Sequence, residues 1–168
     1  QVLLVNRLLG GTLKERKVTN VVLMGSGEPL DNYENTVGFL RLVSAPEGLN
    51  ISPRNISLST CGLVPQMRRL TEEGLPVNLT VSLHAPFDEE RKKTRPGANA
   101  YSIRDILDAC AYYFEKTGRR YIFEYTLIRG QNDGESHVKE LIRLLSGRPC
   151  LVNVIRLNEV KETGLVST

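Results

Sequence analysis

The chain has 168 residues, 22 Lys and Arg against 19 Asp and Glu, and a net charge of +3. That mild excess permits an anionic partner but excludes a dedicated polycationic nucleic-acid tail. No apolar run reaches the ~18 residues of a membrane span, and Cys61, Cys110 and Cys150, odd in number and without CxxC spacing, build no disulfide framework. One domain is expected, in a cytoplasmic setting, with no membrane partner and a core that buries roughly two-thirds of the unfolded surface. Gln1–Leu9 reads as a helix that Gly10-Gly11 ends. With no initiator methionine before it, the chain is expected to be a piece of a longer protein.

A first strand is predicted over Val18–Gly25, then a helix to about Val43, a strand over Asn55–Thr60 and a helix from about Val64 to Glu73. The third strand, Asn78–His84, leads into a loop from Ala85 to Ala100 that carries Arg91, Lys92, Lys93 and Arg95. Ser102 caps a helix to about Thr117, Tyr121–Ile128 is a fourth strand, and Gly130-Gln-Asn-Asp-Gly134 is a turn. A helix to about Leu145 and a strand over Leu151–Asn158 complete the alternation. Such alternation means parallel strands with right-handed crossovers, hence a barrel or a doubly wound sheet.

The strand faces choose between them. Ile56 and Leu58 oppose Ser57 and Ser59; Leu79, Val81 and Leu83 oppose Thr80, Ser82 and His84; Phe123 and Tyr125 oppose Glu124 and Thr126. A parallel strand sandwiched by helices is apolar on both faces. These polar faces instead predict strands lining a wet interior: an α/β fold, a partial parallel β/α barrel of about five strands.

The turn Met24-Gly-Ser-Gly-Glu-Pro-Leu30 leaves the first strand. Its glycines let backbone approach a ligand, and Glu28 sets a carboxylate at a strand's C-terminal end, where such folds do their chemistry. Capping of the following helix is the alternative role for Glu28. The other strand ends carry Ser59 and Thr60, Ser82 and His84, and Asn158. These groups suit an ammonium group, ribose hydroxyls and a base edge. Ser82 and His84 lack the orienting acid of a hydrolytic triad.

Four ordered blocks carry a resemblance: Met24-Gly-Ser-Gly-Glu-Pro-Leu-Asp-Asn-Tyr33, Ile56-Ser-Leu-Ser-Thr-Cys-Gly-Leu-Val-Pro65, Val81-Ser-Leu-His-Ala-Pro86 and Arg120-Tyr-Ile-Phe-Glu-Tyr125. Together they closely resemble the radical S-adenosylmethionine RNA methyltransferases of the dual-specificity RlmN type, which make 2-methyladenosine in 23S rRNA and tRNA. The likeness runs through Gly130–Gly134 to Val152-Asn-Val-Ile-Arg-Leu-Asn158.

The resemblance implies a radical SAM-type partial barrel whose cofactor is S-adenosylmethionine. Gly27 and Glu28 would receive its methionyl amino end, Ser59 its ribose, and Ser82, Leu83, His84 and Asn158 the rest of the nucleoside. Family members also hold a [4Fe-4S] cluster through a CxxxCxxC loop and carry the methyl group on a further cysteine. Neither motif occurs in this chain, which implies an inactive central piece with no metal ligand or catalytic residue of its own. Arg156 and Glu159 stand where prolines are usual in the family, and Arg95-Pro-Gly-Ala-Asn99 departs from the usual substrate-side loop.

Arg91, Lys92, Lys93 and Arg95 become candidates for RNA phosphates. If a cluster-bearing strand normally pairs beside Val18–Met24, its removal leaves an edge open to self-association. The related adenine-C8 methyltransferases of antibiotic resistance share the cofactor motifs. A non-catalytic nucleotide- or RNA-binding module is the alternative from another class.

Overall fold

A computed structural model describes residues 1–94, 100–158 and 164–167. Five strands alternate with helices: α1 (Val2–Leu8), β1 (Val21–Leu23), α2 (Tyr33–Ser44), β2 (Ile56–Thr60), α3 (Val64–Glu72), β3 (Asn78–Ser82), α4 (Asp88–Thr94), α5 (Ile103–Thr117), β4 (Tyr121–Leu127), α6 (Glu135–Leu145) and β5 (Cys150–Arg156). All strand pairs are parallel, and the sheet order is β1-β2-β3-β4-β5. A doubly wound sheet reverses its order at a switch point, placing helices on both faces. Sequential order with one crossover hand keeps them on one side and curls the sheet like part of a barrel. The sheet stays open, as the polar strand faces predicted.

The outer face makes the core. Ile56 and Leu58 of β2, Leu79 and Val81 of β3 and Tyr121 and Phe123 of β4 are fully buried, in one cluster with Tyr33, Val37 and Leu40 of α2, Met67 and Leu70 of α3, and Ile106, Cys110 and Tyr113 of α5. The helical members recur three or four residues apart, which puts them on one face of each helix. Each large side chain removed from water there contributes ~1.5–3 kcal/mol.

Three of the differences from the sequence reading have a plain physical cause. β1 is a three-residue strand, since β2 is its one ladder partner and Gly25 and Gly27, at φ of 114° and 84°, leave extended geometry at once. β3 stops at Ser82 because His84 has φ of 56°. The stretch expected to be loop contains α4, whose first turn holds Asp88, Glu89 and Glu90, carboxylates favoured at a helix N-terminus. At the other edge, Val152 and Val154 of β5 and Val138 and Ile142 of α6 remain exposed.

Candidate functional site

Glu28 follows Gly27, where a β-carbon would meet nothing within 4 Å; the backbone angle, not crowding, asks for glycine. One Glu28 oxygen accepts the Leu30 N–H at 3.0 Å and the other the Cys61 N–H at 2.6 Å. Thr36 of α2 donates to the Pro29 carbonyl at 2.7 Å, fixing the exit from the turn. Helix capping is therefore not what Glu28 does: α2 begins at Tyr33 behind Asn32, and the carboxylate instead ties the β1 turn to the β2 turn.

That second turn is itself clamped. The Cys61 carbonyl accepts from the Arg91 guanidinium, which also donates to the Tyr101 carbonyl at 3.4 Å. Gly62 has φ of +102°, and a β-carbon there would sit 2.6 Å from Ile106 Cδ1 and 3.1 Å from an Arg91 nitrogen. The angle disfavours a side chain, and any β-carbon there would also displace the Ile106 side chain.

Across the inner face, Ser59 and Ser82 hydroxyls stand 3.5 Å apart. Ser82 is in register with Glu124, and Glu124 with Asn153. Glu124 is 5 % exposed, and the Asn153 amide donates to its two oxygens at 3.2 and 3.0 Å. Gly27, Glu28, Ser59, Ser82, His84 and Glu124 all line one open cavity of about 900 Å3 at the strands' C-terminal ends.

The structure thus brings five of the sequence-derived candidates together. Leu83 lies with its side chain in the core and offers backbone only, its N–H bonded to the Glu124 carbonyl at 3.0 Å. Asn158 is exposed, two residues past the end of β5, and is not among the cavity-lining residues.

Of the candidate RNA-binding cations, Arg91 is corrected. It is 2 % exposed and its guanidinium is spent on backbone carbonyls, so it presents no charge to a phosphate. Lys92 is exposed and paired with Glu89 at 2.8 Å. The Lys93 side chain and Arg95 lie outside the described residues.

Sequence reasoning put Glu124 on a polar face without making it a site residue. It missed Asn132, one of whose partners, the His84 carbonyl, is 48 positions away, and no local pattern signals such a contact.

A carboxylate at the rim, two hydroxyls, a second carboxylate and an imidazole can recognise a ligand combining an ammonium group, hydroxyls and a heteroaromatic base. They form no hydrolytic triad, since His84 Nδ1 is occupied by the Thr126 N–H at 3.0 Å. Among the described residues, no group of three or more His, Cys, Asp or Glu is placed to hold a metal ion, and no helix is long and apolar enough to cross a membrane.

A family model for the radical SAM superfamily matches residues 9–145. The chain is 56 % identical over 150 residues to a probable dual-specificity RNA methyltransferase RlmN of Lachnoclostridium phytofermentans, covering 89 % of this chain and 42 % of that protein. It is 49 % identical over 166 residues to the protein of the same name from Clostridium tetani, covering 96 % and 48 %. The chain therefore spans under half the length of these curated relatives.

A crystal structure of a radical SAM methyltransferase from Sphaerobacter thermophilus superposes with a TM-score of 0.91 at 42 % identity, over 99 % of this chain and 48 % of that one. A domain of a pyruvate-formate lyase-activating enzyme from Bacteroides vulgatus, 17 % identical, shares the fold with a TM-score of 0.63, over 90 % of this chain and 86 % of that one. The chain belongs to the radical SAM superfamily and, within it, is similar to proteins named RlmN.

Proposed function

We propose that the protein carrying this chain is an S-adenosylmethionine-dependent RNA methyltransferase that modifies C2 of adenosine in 23S rRNA and tRNA, and that this chain forms its S-adenosylmethionine pocket. The carrying observation is Glu28, a carboxylate fixed by two backbone N–H groups from different turns at the mouth of a cavity lined by Ser59 and Ser82. The cavity residues fit the cofactor: Glu28 receives the ammonium of the methionyl end, the Ser59 and Ser82 hydroxyls bond the ribose, and His84 meets the base. Asn158 would close over the nucleoside from beyond β5. When bound, S-adenosylmethionine supplies the methyl group. The chain's own residues orient it, and the two turn hydrogen bonds keep Glu28 in place before the ligand arrives.

The residues described do not fit a [4Fe-4S] cluster. Cys61 follows β2 at the C-terminal rim, Cys110 is buried in α5, and Cys150 opens β5 at the opposite end of the sheet. By itself, the 168-residue chain is therefore expected to bind S-adenosylmethionine without methylating RNA. Three free cysteines agree with a reducing cytoplasm, where both RNA substrates are found.

The test is mass spectrometry of adenosines from 23S rRNA and tRNA of cells with and without the gene, beside calorimetric titration of the full-length protein with S-adenosylmethionine. Loss of 2-methyladenosine and a Glu28→Gln affinity reduced about tenfold, ~1.4 kcal/mol, are expected. Unchanged adenosine would refute the RNA assignment, and 8-methyladenosine would reassign the position.

A further inference from the structure

His84 is, with Asn50, one of two non-glycine residues at positive φ among the described residues. Asparagine and histidine enter that region more often than other side chains, but the conformation still costs energy that neighbouring bonds must offset. The support is visible. Asn132, 6 % exposed in the turn after β4, donates from Nδ2 to the His84 carbonyl at 2.7 Å and to the Thr126 carbonyl at 2.7 Å. Its Oδ1 accepts the Ile128 N–H at 2.7 Å, and its carbonyl accepts the Tyr125 hydroxyl at 2.8 Å. Both amide protons are thus directed at carbonyls, which no aspartate could match.

The held backbone turns the imidazole back over β4. The β3–β4 ladder ends at the Ser82–Glu124 pair, and the Thr126 N–H beyond it donates to His84 Nδ1 at 3.0 Å. A backbone N–H can only donate, so Nδ1 must be the unprotonated nitrogen and the ring proton must sit on Nε2. His84 also lines the cavity. We infer that Asn132 is a positioning residue that locks His84 in its Nε2–H tautomer, the form that can donate to an unprotonated ring nitrogen of a purine. The purine clause rests on the S-adenosylmethionine reading of the cavity; the tautomer does not.

The experiment is nitrogen NMR of the full-length protein labelled with 15N-imidazole histidine, at neutral pH, with the His84 signals assigned by their loss in His84→Gln. The wild type is expected to show an unprotonated Nδ1 and a protonated Nε2. In Asn132→Asp, shown by circular dichroism to be folded, the two shifts should move toward a tautomer mixture, and affinity for S-adenosylmethionine should fall about tenfold. Asn132→Ser, which keeps one donor, should lie between the two. A wild-type Nδ1–H tautomer overturns the inference whether or not either variant folds, and so does a folded Asn132→Asp with an unshifted tautomer. A wild type with the expected tautomer that binds no S-adenosylmethionine would leave the positioning role standing and refute the cofactor reading instead.

Discussion

At the scale of single residues, the site depends on groups that never touch its cavity. Arg91 is the clearest. Its guanidinium satisfies the carbonyls of Cys61 and Tyr101, and the Cys61 N–H in turn holds Glu28. Arg91→Met removes this donor from two part-buried carbonyls and should lower stability by about 1–3 kcal/mol, read as a shift of the urea midpoint at constant m-value. An RNA-facing arginine would behave oppositely, costing RNA affinity and no stability. Gly62→Ala combines a positive φ with a 2.6 Å approach to Ile106 Cδ1 and should cost about 1–3 kcal/mol in the same measurement. Wild-type stability in that variant would mean the turn is freer than its geometry implies.

At the scale of elements, two helices show how local chemistry places the site. The α5 N-terminus is a capping box: Ser102 Oγ accepts the Asp105 N–H, and the Asp105 carboxylate accepts the Ser102 N–H at 3.0 Å. The Ser102 hydroxyl also donates to that carboxylate at 2.6 Å, and this bond first, with the Ser102 N–H second, holds the Asp105 carboxyl below its ordinary pKa. α5 carries Ile106, which packs on the Gly62 turn, so its start matters to the rim. Ser102→Ala should cost ~1 kcal/mol in thermal unfolding, and no change would show the cap to be redundant.

On α4, Arg91 faces inward while Lys92 faces water. If Lys92 meets RNA, Lys92→Gln in the full-length protein should reduce the slope of log affinity against log salt by about one unit. An unaltered slope would remove α4 from the RNA surface.

At the scale of the whole molecule, the one-sided core sets a pH limit. Burial pushes the Tyr121 and Tyr125 hydroxyls up to about 12 and raises Tyr113 further. Each binds its proton more tightly folded than unfolded. The stability this contributes is complete below pH ~10, the unfolded value, and is lost as pH rises through the folded values. Phenolate absorbance and circular dichroism should therefore change together above pH ~11. Tyrosines titrating near 10 in a chain of unchanged ellipticity would contradict their burial.

The open sheet sets a second expectation. β1 is an edge with Val22 and Met24 half or more exposed, so the 168-residue chain should form concentration-dependent dimers in light scattering. A strict monomer at high concentration would show that the short β1 does not recruit a neighbour.

Much of this was legible in the residues alone. Alternating polarity in Ile56–Thr60 and Tyr121–Leu127 separated a wet face from a core face, because side chains on a strand alternate with a period of two whatever the strand packs against. The glycine turn with Glu28 was legible in part: its positive-φ glycines and the bond to Leu30 are local, whereas the bond to the Cys61 N–H is not. What the fold alone decided involves partners distant in sequence. The sequence placed Arg91 among exposed cations, and only the docking of α4 behind the β2 turn buried it. Asn132 sits in an ordinary polar turn until parallel pairing of β3 and β4 brings it to His84, 48 residues earlier. Periodicity reports which face a residue occupies; hydrogen bonds across a parallel sheet depend on which chain ends the crossovers bring together.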